Sequence, residues 1–532
     1  MASASAVKAG QALYLRGVLA SGALLRAARE GGAQGASGAA AACVNCHQHS
    51  GLGSTHQSTG IRAGAAYKQI PPIAGRYLFE RNAGHEVANL PYVDGMRSNR
   101  TPYTPATLSR ALREGIDPDG HKLSNLMPHF EIGEDDLSAL IAYLNTLYPA
   151  RVPGVSQATL QFATIITPEI EPERRGAMLE VMQKFFAERN SRQMVPSAPM
   201  RASGHTQFSR SMFMVHRQWE LHVWELSGPP SSWGEQLDQH FAKEPVLAVL
   251  SGLGHDWTPV HAFCERQRLA CLFPNVEVPV DTAGDFYELY LSRGVLLEAG
   301  LIGVGLSEPA AGAPVKIVHQ IYRAGDSGEA GAKALAQALR SRGVEVHETR
   351  LEAAEADPAG AVHAASGADA LVLWLRPADL AALGDVHEAP PLVYMSGQLG
   401  GLERAPLPVA WRARTHMAYP YDLPDKRVVR VDYPLGWFRI RGIKVVDEPM
   451  QADTYLACGL VSEAVKEMVD AFYGPYLIEV LQAMVEHRIV TGYYPRLTLA
   501  ENQHFASKGG YLVHFADGES RKLLADGEWL TP

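Results

Sequence analysis

Three residues in one short run, Cys43-Val-Asn-Cys46-His47, carry chemistry by their types and their spacing. Two thiols set two residues apart and followed at once by an imidazole suit the covalent attachment of one haem. Each sulfur forms a thioether with a vinyl group, and the imidazole ligates the iron from below. A CxxC pair also suits zinc or a redox disulfide, but zinc takes four ligands, and the sequence offers neither a second CxxC nor a close pair of histidines. The opposite axial position calls for a soft, neutral donor. Met127, in Leu126-Met127-Pro128, is the candidate, because Pro128 stiffens the loop that would hold its sulfur. Met96, His85, His121 and His129 are its rivals, and a gap-filling core methionine is the structural alternative. An iron ligated on both sides favours one-electron transfer over oxygen chemistry.

The elements that must position these residues occupy the first part of the chain. Up to about Leu147 the sequence reads as short helices joined by long glycine- and proline-rich loops, with a low-complexity stretch over 31–42 just before the cysteine motif. The clearest helix spans 134–147. Leu137, Leu140, Ile141, Leu144 and Leu147 recur at helical spacing, and Glu134, Asp135 and Asp136 complement the N-terminal dipole. Pro149, Pro153 and Gly154 stop it, which divides the chain into a domain over 1–149, a linker over 150–158 and a second domain over 159–532.

Beyond the linker, apolar strands alternate with amphipathic helices. Strands are expected at 162–167, 221–226, 246–250, 270–273, 315–322, 344–349, 370–375 and 391–395, with helices at 172–190, 285–299 and 328–342. Such alternation calls for parallel sheets covered on both faces, with ligands at the carboxyl ends of the strands. This part of the chain exceeds what one doubly wound sheet holds, so two lobes are expected.

Composition bounds the remaining classes. The chain has 532 residues, 46% hydrophobic and 20% charged, as expected of a folded globular protein. Its net charge of −9 is uneven: 13 Lys and Arg face 11 Asp and Glu through Ala150, and 35 face 46 beyond it. An acidic body with no basic, aromatic-studded run is repelled by phosphate, which excludes nucleic acid. No run approaches the 18 apolar residues of a membrane span, and no signal peptide is visible at the start. Of the other cysteines, Cys264 and Cys271 are expected as buried free thiols, with pairing as the alternative, and Cys458 is left over.

Residues 10–147, including Arg113-Glu-Gly115-Ile-Asp117-Pro-Asp119-Gly120, Met127-Pro128 and Ala142-Tyr143-Leu144, resemble a class I monohaem cytochrome c. The resemblance implies that Pro71 supplies the carbonyl that bonds the free ring nitrogen of His47. It also implies that a helix containing Leu13, Tyr14 and Gly17 crosses the last helix near Tyr143. A simple rigid turn is the other reading of Pro71-Pro72. Residues 159–529, with Ile165-Ile-Thr167-Pro168, Phe263-Cys264-Glu265 and Phe505-Ala506-Ser507-Lys508-Gly509-Gly510-Tyr511, resemble type I periplasmic solute-binding proteins, the branched-chain amino acid receptors of ABC transporters. The fold class implied is an all-α cytochrome c domain followed by a two-lobed α/β domain.

In that family the ligand sits on loops at the strand ends, here 168–171, 251–257 and 274–277. Ser251, His255, Asp256, Trp257 and Asn275 are the pocket candidates, although Asp256 also suits a helix cap and Trp257 the core. Tyr322 and Trp374 suit either an aromatic wall or core packing. The hydroxyl pattern that grips amino acids is missing from these loops. No nucleophile–base pair appears, so catalysis is not expected. The leading expectation is a periplasmic electron carrier with one covalent haem, exchanging electrons with a dehydrogenase or oxidase and fused to a solute-binding module. The alternatives are a solute receptor or sensor in which the haem regulates, and a haem peroxidase with an open iron position.

Overall fold

The computed structural model describes residues 3–532 apart from 30–34, 54–60, 64–65, 69, 81–100, 194–216, 308–313, 353–356, 428–433, 469–470, 488–490 and 519. His85 and Met96 fall outside the described residues.

The front domain is built on a helix crossing. Helix Ala4–Arg16 is started by the Ser3 side chain and stopped by the left-handed Gly17, and helix Glu134–Leu144 carries three acidic residues in its first turn. They meet at Gly10, where an added Cβ would lie 2.0 Å from the Ala139 carbonyl, and at Tyr14–Tyr143, with ring centroids 5.3 Å apart. A third helix, Pro105–Glu114, opens with a reciprocal Thr104–Thr107 capping box.

The all-α expectation for this domain is not met. Strands Ala36–Ser37, Arg26–Ala28 and His129–Glu131 form a small antiparallel sheet, and Ile61–Ala63 pairs with Ala66–Lys68 as a hairpin. Strand Ala36–Ser37 lies within the low-complexity run, where small side chains give no helical apolar stripe and the backbone is free to pair. The last helix ends at Leu144, not Leu147, although Leu147 stays buried. Residues 150–158 pack along the second domain: Gln161 N donates to the Gly154 carbonyl at 2.8 Å, and Gly154 takes φ +69° against the backbone of Val246 and Leu247.

The second domain has two lobes. In lobe 1 the sheet order is Asn275–Val276, Leu253–Gly254, Thr159–Ile166, Ala248–Leu250, Ala270–Leu272, Glu288–Leu289, with Gln218–Glu225 also paired to Thr159–Ile166; every pairing is parallel. Lobe 2 runs Glu345–Leu351, Ile317–Arg323, Ala370–Trp374, Leu392–Ser396, Thr415–Tyr419, Tyr511–Phe515, Leu523–Ala525, parallel through Thr415–Tyr419 and antiparallel beyond it. The strand Ala370–Trp374 is buried throughout, which is why it reads as an unbroken apolar run. The helix expected over 285–299 is replaced by strand Glu288–Leu289 and a turn through the left-handed Gly294, and helix Val295–Ser307 follows. Helices Glu448–Glu467 and Gly474–Met484, late in the chain, return to lobe 1: the first packs on Pro172–Gln193 and the second beside Ala270–Leu272.

Cys264 and Cys271 form a disulfide, against the expectation of free thiols. The left-handed Arg268 turns helix Thr258–Gln267 directly into strand Ala270–Leu272, which brings the two Cα atoms to 6.2 Å. Cys458 is free and buried. Among the described residues, no helix is long and apolar enough to cross a membrane.

The front domain is docked on lobe 1. His49 stacks on Phe286 at 3.8 Å, Tyr148 packs against Tyr473 at 5.7 Å, and the buried Glu479 accepts hydrogen bonds from the Ser50 backbone N–H at 2.7 Å and from its hydroxyl at 2.5 Å. One apolar cluster runs from Tyr14 and Leu140 through Tyr148 to Tyr476 and Leu477. Burying a ring such as Phe286 contributes roughly 1.5–3 kcal/mol.

Candidate functional site

The cysteine motif forms one turn of helix, Val44–His47, entered from Cys43. His47 N donates to the Cys43 carbonyl at 2.9 Å, so Cys43 and Cys46 lie one turn apart on the same side. Both are free and half-buried. Burial pushes the Cys43 thiol up to about 12 and raises that of Cys46. The His47 ring is buried, and its Nδ1 lies 3.1 Å from the Pro71 carbonyl. A carbonyl only accepts, so Nδ1 carries the proton and Nε2 keeps its lone pair. Desolvation holds the ring neutral, with its pKa down to about 4, although the Pro71 bond works the other way. These residues fit a covalent haem: two unpaired sulfurs one turn apart, and an imidazole whose free nitrogen is fixed by its other bond. Such a group would be held by Cys43, Cys46 and His47.

Met127 closes a turn, its N–H bonded to the Ser124 carbonyl at 2.9 Å, and sits half-buried against the same apolar cluster. Of its rivals, His121 lies 3.5 Å from Asp117, and His129 packs its ring over Gly115, where a Cβ would come within 2.6 Å of Nε2.

The second group of candidates lies at strand ends of lobe 1. Ser251, left-handed at φ +56° and fully buried, is hydrogen-bonded by Asn275 Nδ2 at 2.9 Å and faces the Thr454 hydroxyl at 3.3 Å; Asn275 also reaches Thr454 at 3.1 Å. Ser251 and Asn275 therefore come together, joined by Thr454 from helix Glu448–Glu467. Trp257 does not join them: its ring is buried under Gly252, and its N–H donates to Glu288 at 2.5 Å. Asp256 is exposed and caps the Thr258 N–H at 3.0 Å. His255 stays half-exposed, 3.7 Å from Glu277, which raises its pKa. Tyr322 and Trp374 are core residues, and the Trp374 indole N–H donates to the buried Gln320 at 2.8 Å.

The polar row continues with residues that sequence reasoning passed over. Next to Thr454, Asp453 accepts from the Tyr494 hydroxyl at 3.0 Å; Tyr494 packs on Tyr421 at 5.4 Å, and Gln398 reaches the Tyr421 hydroxyl at 3.3 Å. Gln398 N–H in turn donates to Glu298 at 2.9 Å, and Ser396 bonds the same carboxyl. Burial raises both Asp453 and Glu298 to about 8. Asp453 Oδ1 and Gln398 Oε1 are buried without hydrogen-bond partners among the described residues. Beside this row an ion pair joins the lobes. Arg376, after a lobe 2 strand, makes two bonds to Glu277 of lobe 1 at 2.7 and 2.6 Å and two to Asp326 at 2.8 and 2.6 Å. Burial opposes the Glu277 charge, but hydrogen bonds from His255 and Arg376 outweigh it and hold the carboxyl well below the usual range. The sequence signal for these residues was position alone, since Glu277, Arg376 and Gln398 all follow strand ends.

Two sheets with helices on their faces, joined by a chain that crosses between them more than once, define the two-lobed α/β fold of the type I periplasmic binding proteins. Among solved structures, the chain is similar to a fatty acid ABC transporter substrate-binding protein from Thermomonospora curvata, with TM-score 0.52 and 16% identity over 72% of this chain and 95% of that one. It is also similar to a substrate-binding periplasmic protein from Ralstonia solanacearum, with TM-score 0.51 and 11% identity over 69% and 100%. A leucine-binding protein from Thermotoga maritima gives TM-score 0.50 and 13% identity over 70% and 99%. No family model and no curated protein matches the chain. At these identities the likeness shows the fold.

Proposed function

We propose that the chain is a periplasmic solute receptor of the ABC-transporter type that closes its lobes on a small molecule. The reading places the receptor role ahead of electron transfer and involves no catalysis. It is supported by the fold and by one observation above all: Gln398 Oε1 and the carboxyl oxygen Asp453 Oδ1 are buried without hydrogen-bond partners among the described residues. An unpaired buried acceptor costs about 1–3 kcal/mol, which a ligand presenting N–H or O–H donors offsets. The solute class is therefore one rich in donors, such as amines or polyols, held by Asp453, Gln398, Tyr421 and Tyr494. The cleft differs from an amino acid site in that Ser251 and Asn275 are spent on each other and on Thr454.

Thermal-shift screening of the full chain against amines, amino acids, polyols and fatty acids tests it. A binder at 100 times its Kd adds about 2.7 kcal/mol. The Asp453→Asn variant is expected to lose the response to an amine or polyol hit. Stabilisation only by fatty acids, undiminished in that variant, would overturn the solute class.

A second reading, an electron-carrying front domain, rests on the geometry of Cys43, Cys46 and His47. Haem bound there would supply one-electron exchange with protein partners. Protein matured with haem-attachment machinery is expected to keep its colour through acidic acetone, and loss of the pigment into the solvent rejects covalent attachment. Substituting Met127 is then expected to abolish the sulfur-to-iron absorption band of the oxidised protein.

A further inference from the structure

The sheet of lobe 2 carries a side-chain cluster that neither the cleft nor the cysteine motif uses. Strands Thr415–Tyr419 and Tyr511–Phe515 run antiparallel with Met417 opposite Val513, and continuing that register sets His416 opposite His514, their ring centroids 6.2 Å apart. Just beyond strand Leu523–Ala525, Asp526 is pinned by its N–H to the Leu512 carbonyl at 2.8 Å. Its Oδ2 lies 2.7 Å from His416 Nδ1 and its Oδ1 2.5 Å from His514 Nδ1. All three donor atoms lie within 4.8 Å of one another.

An ion pair needs one cation for one carboxylate. Here two imidazoles turn the same ring nitrogen toward one carboxylate. Two imidazole nitrogens and one carboxylate oxygen thus converge from three positions on the sheet. That set suits a borderline divalent ion such as zinc, with water completing its shell. The backbones of three paired strands fix the donors, and the side chains are partly shielded, at 29%, 33% and 22% exposure for His416, His514 and Asp526.

We propose that His416, His514 and Asp526 form a binding site for one divalent transition-metal ion, with zinc the fitting ion. Bound there, it would clip the carboxyl-terminal hairpin to the parallel part of the lobe 2 sheet.

Calorimetric titration of the full chain with zinc chloride, beside the His416→Ala/His514→Ala double variant, tests this. The wild type is expected to take up one more equivalent than the variant and to show a rise in Tm that EDTA reverses and the variant lacks. Equal stoichiometry and equal Tm response in both proteins, whether from no uptake or from uptake elsewhere such as at Cys43 and Cys46, overturns the site. Should the double variant fail to fold, Asp526→Asn, nearly isosteric and partly exposed, provides the same comparison.

Discussion

Glu298 is fully buried where lobe 2 begins, with Ser396 and the Gln398 N–H as partners, and burial lifts its carboxyl to about 8. The folded chain therefore keeps a proton that the unfolded chain releases above about 4.5. Stability from this group is greatest below that value and falls as pH rises toward 8, at most by about 1.4 kcal/mol per pH unit. Glu298→Gln is expected to flatten the fall in Tm between about pH 5 and pH 8. A wild-type Tm that rises across that window would contradict it. At this scale local chemistry was legible and partners were not. The CxxCH spacing sets three groups on one helical turn, whatever lies around them. Nothing near Ser251 in sequence announces that Thr454, 203 residues away, faces its hydroxyl.

Among the elements, the crossing of Ala4–Arg16 with Glu134–Leu144 depends on the missing side chain of Gly10. Gly10→Ala gains about 1 kcal/mol of helix propensity. Its Cβ, 2.0 Å from the Ala139 carbonyl and 2.8 Å from Tyr143 Cβ, forces the helices apart, and overpacking costs roughly 1–3 kcal/mol or more. A net loss of stability in urea is expected, and an unchanged or raised midpoint would show that the crossing tolerates a methyl. Strongly periodic helices and fully apolar strands could be read from the sequence because their patterns are local. The small front sheet could not, since strands of two or three residues carry no period of their own. The start of helix Val295–Ser307 was misjudged for a related reason: the apolar residues before Gly294 serve a strand and a turn.

Across the whole molecule, the Arg376 ion pair is the direct polar tie between Glu277 of lobe 1 and Asp326 of lobe 2. Arg376→Gln leaves two half-buried carboxylates facing each other, and truncating such a pair costs about 2 kcal/mol or more. The variant is expected to show a larger radius of gyration by small-angle scattering and a ligand Kd raised about tenfold. Unchanged scattering and affinity would mean that this ion pair does not hold the lobes together. The docking of the front domain belongs to the same scale, because the Ser50–Glu479 contact joins residues 429 apart and places the cysteine motif against lobe 1.

The sequence by itself determined the CxxCH spacing, the βα alternation and the two-lobed plan. Each follows from periodicity, composition or residues within a few positions of one another. Only the tertiary structure decided which loop residues come together and which serve as cap or core. It also decided that Cys264 and Cys271 are joined, that Glu277 meets Arg376 across 99 residues, and that His416, His514 and Asp526 converge. Those facts depend on strand register and on how far apart in the chain two neighbours in space can be, and no local pattern encodes either.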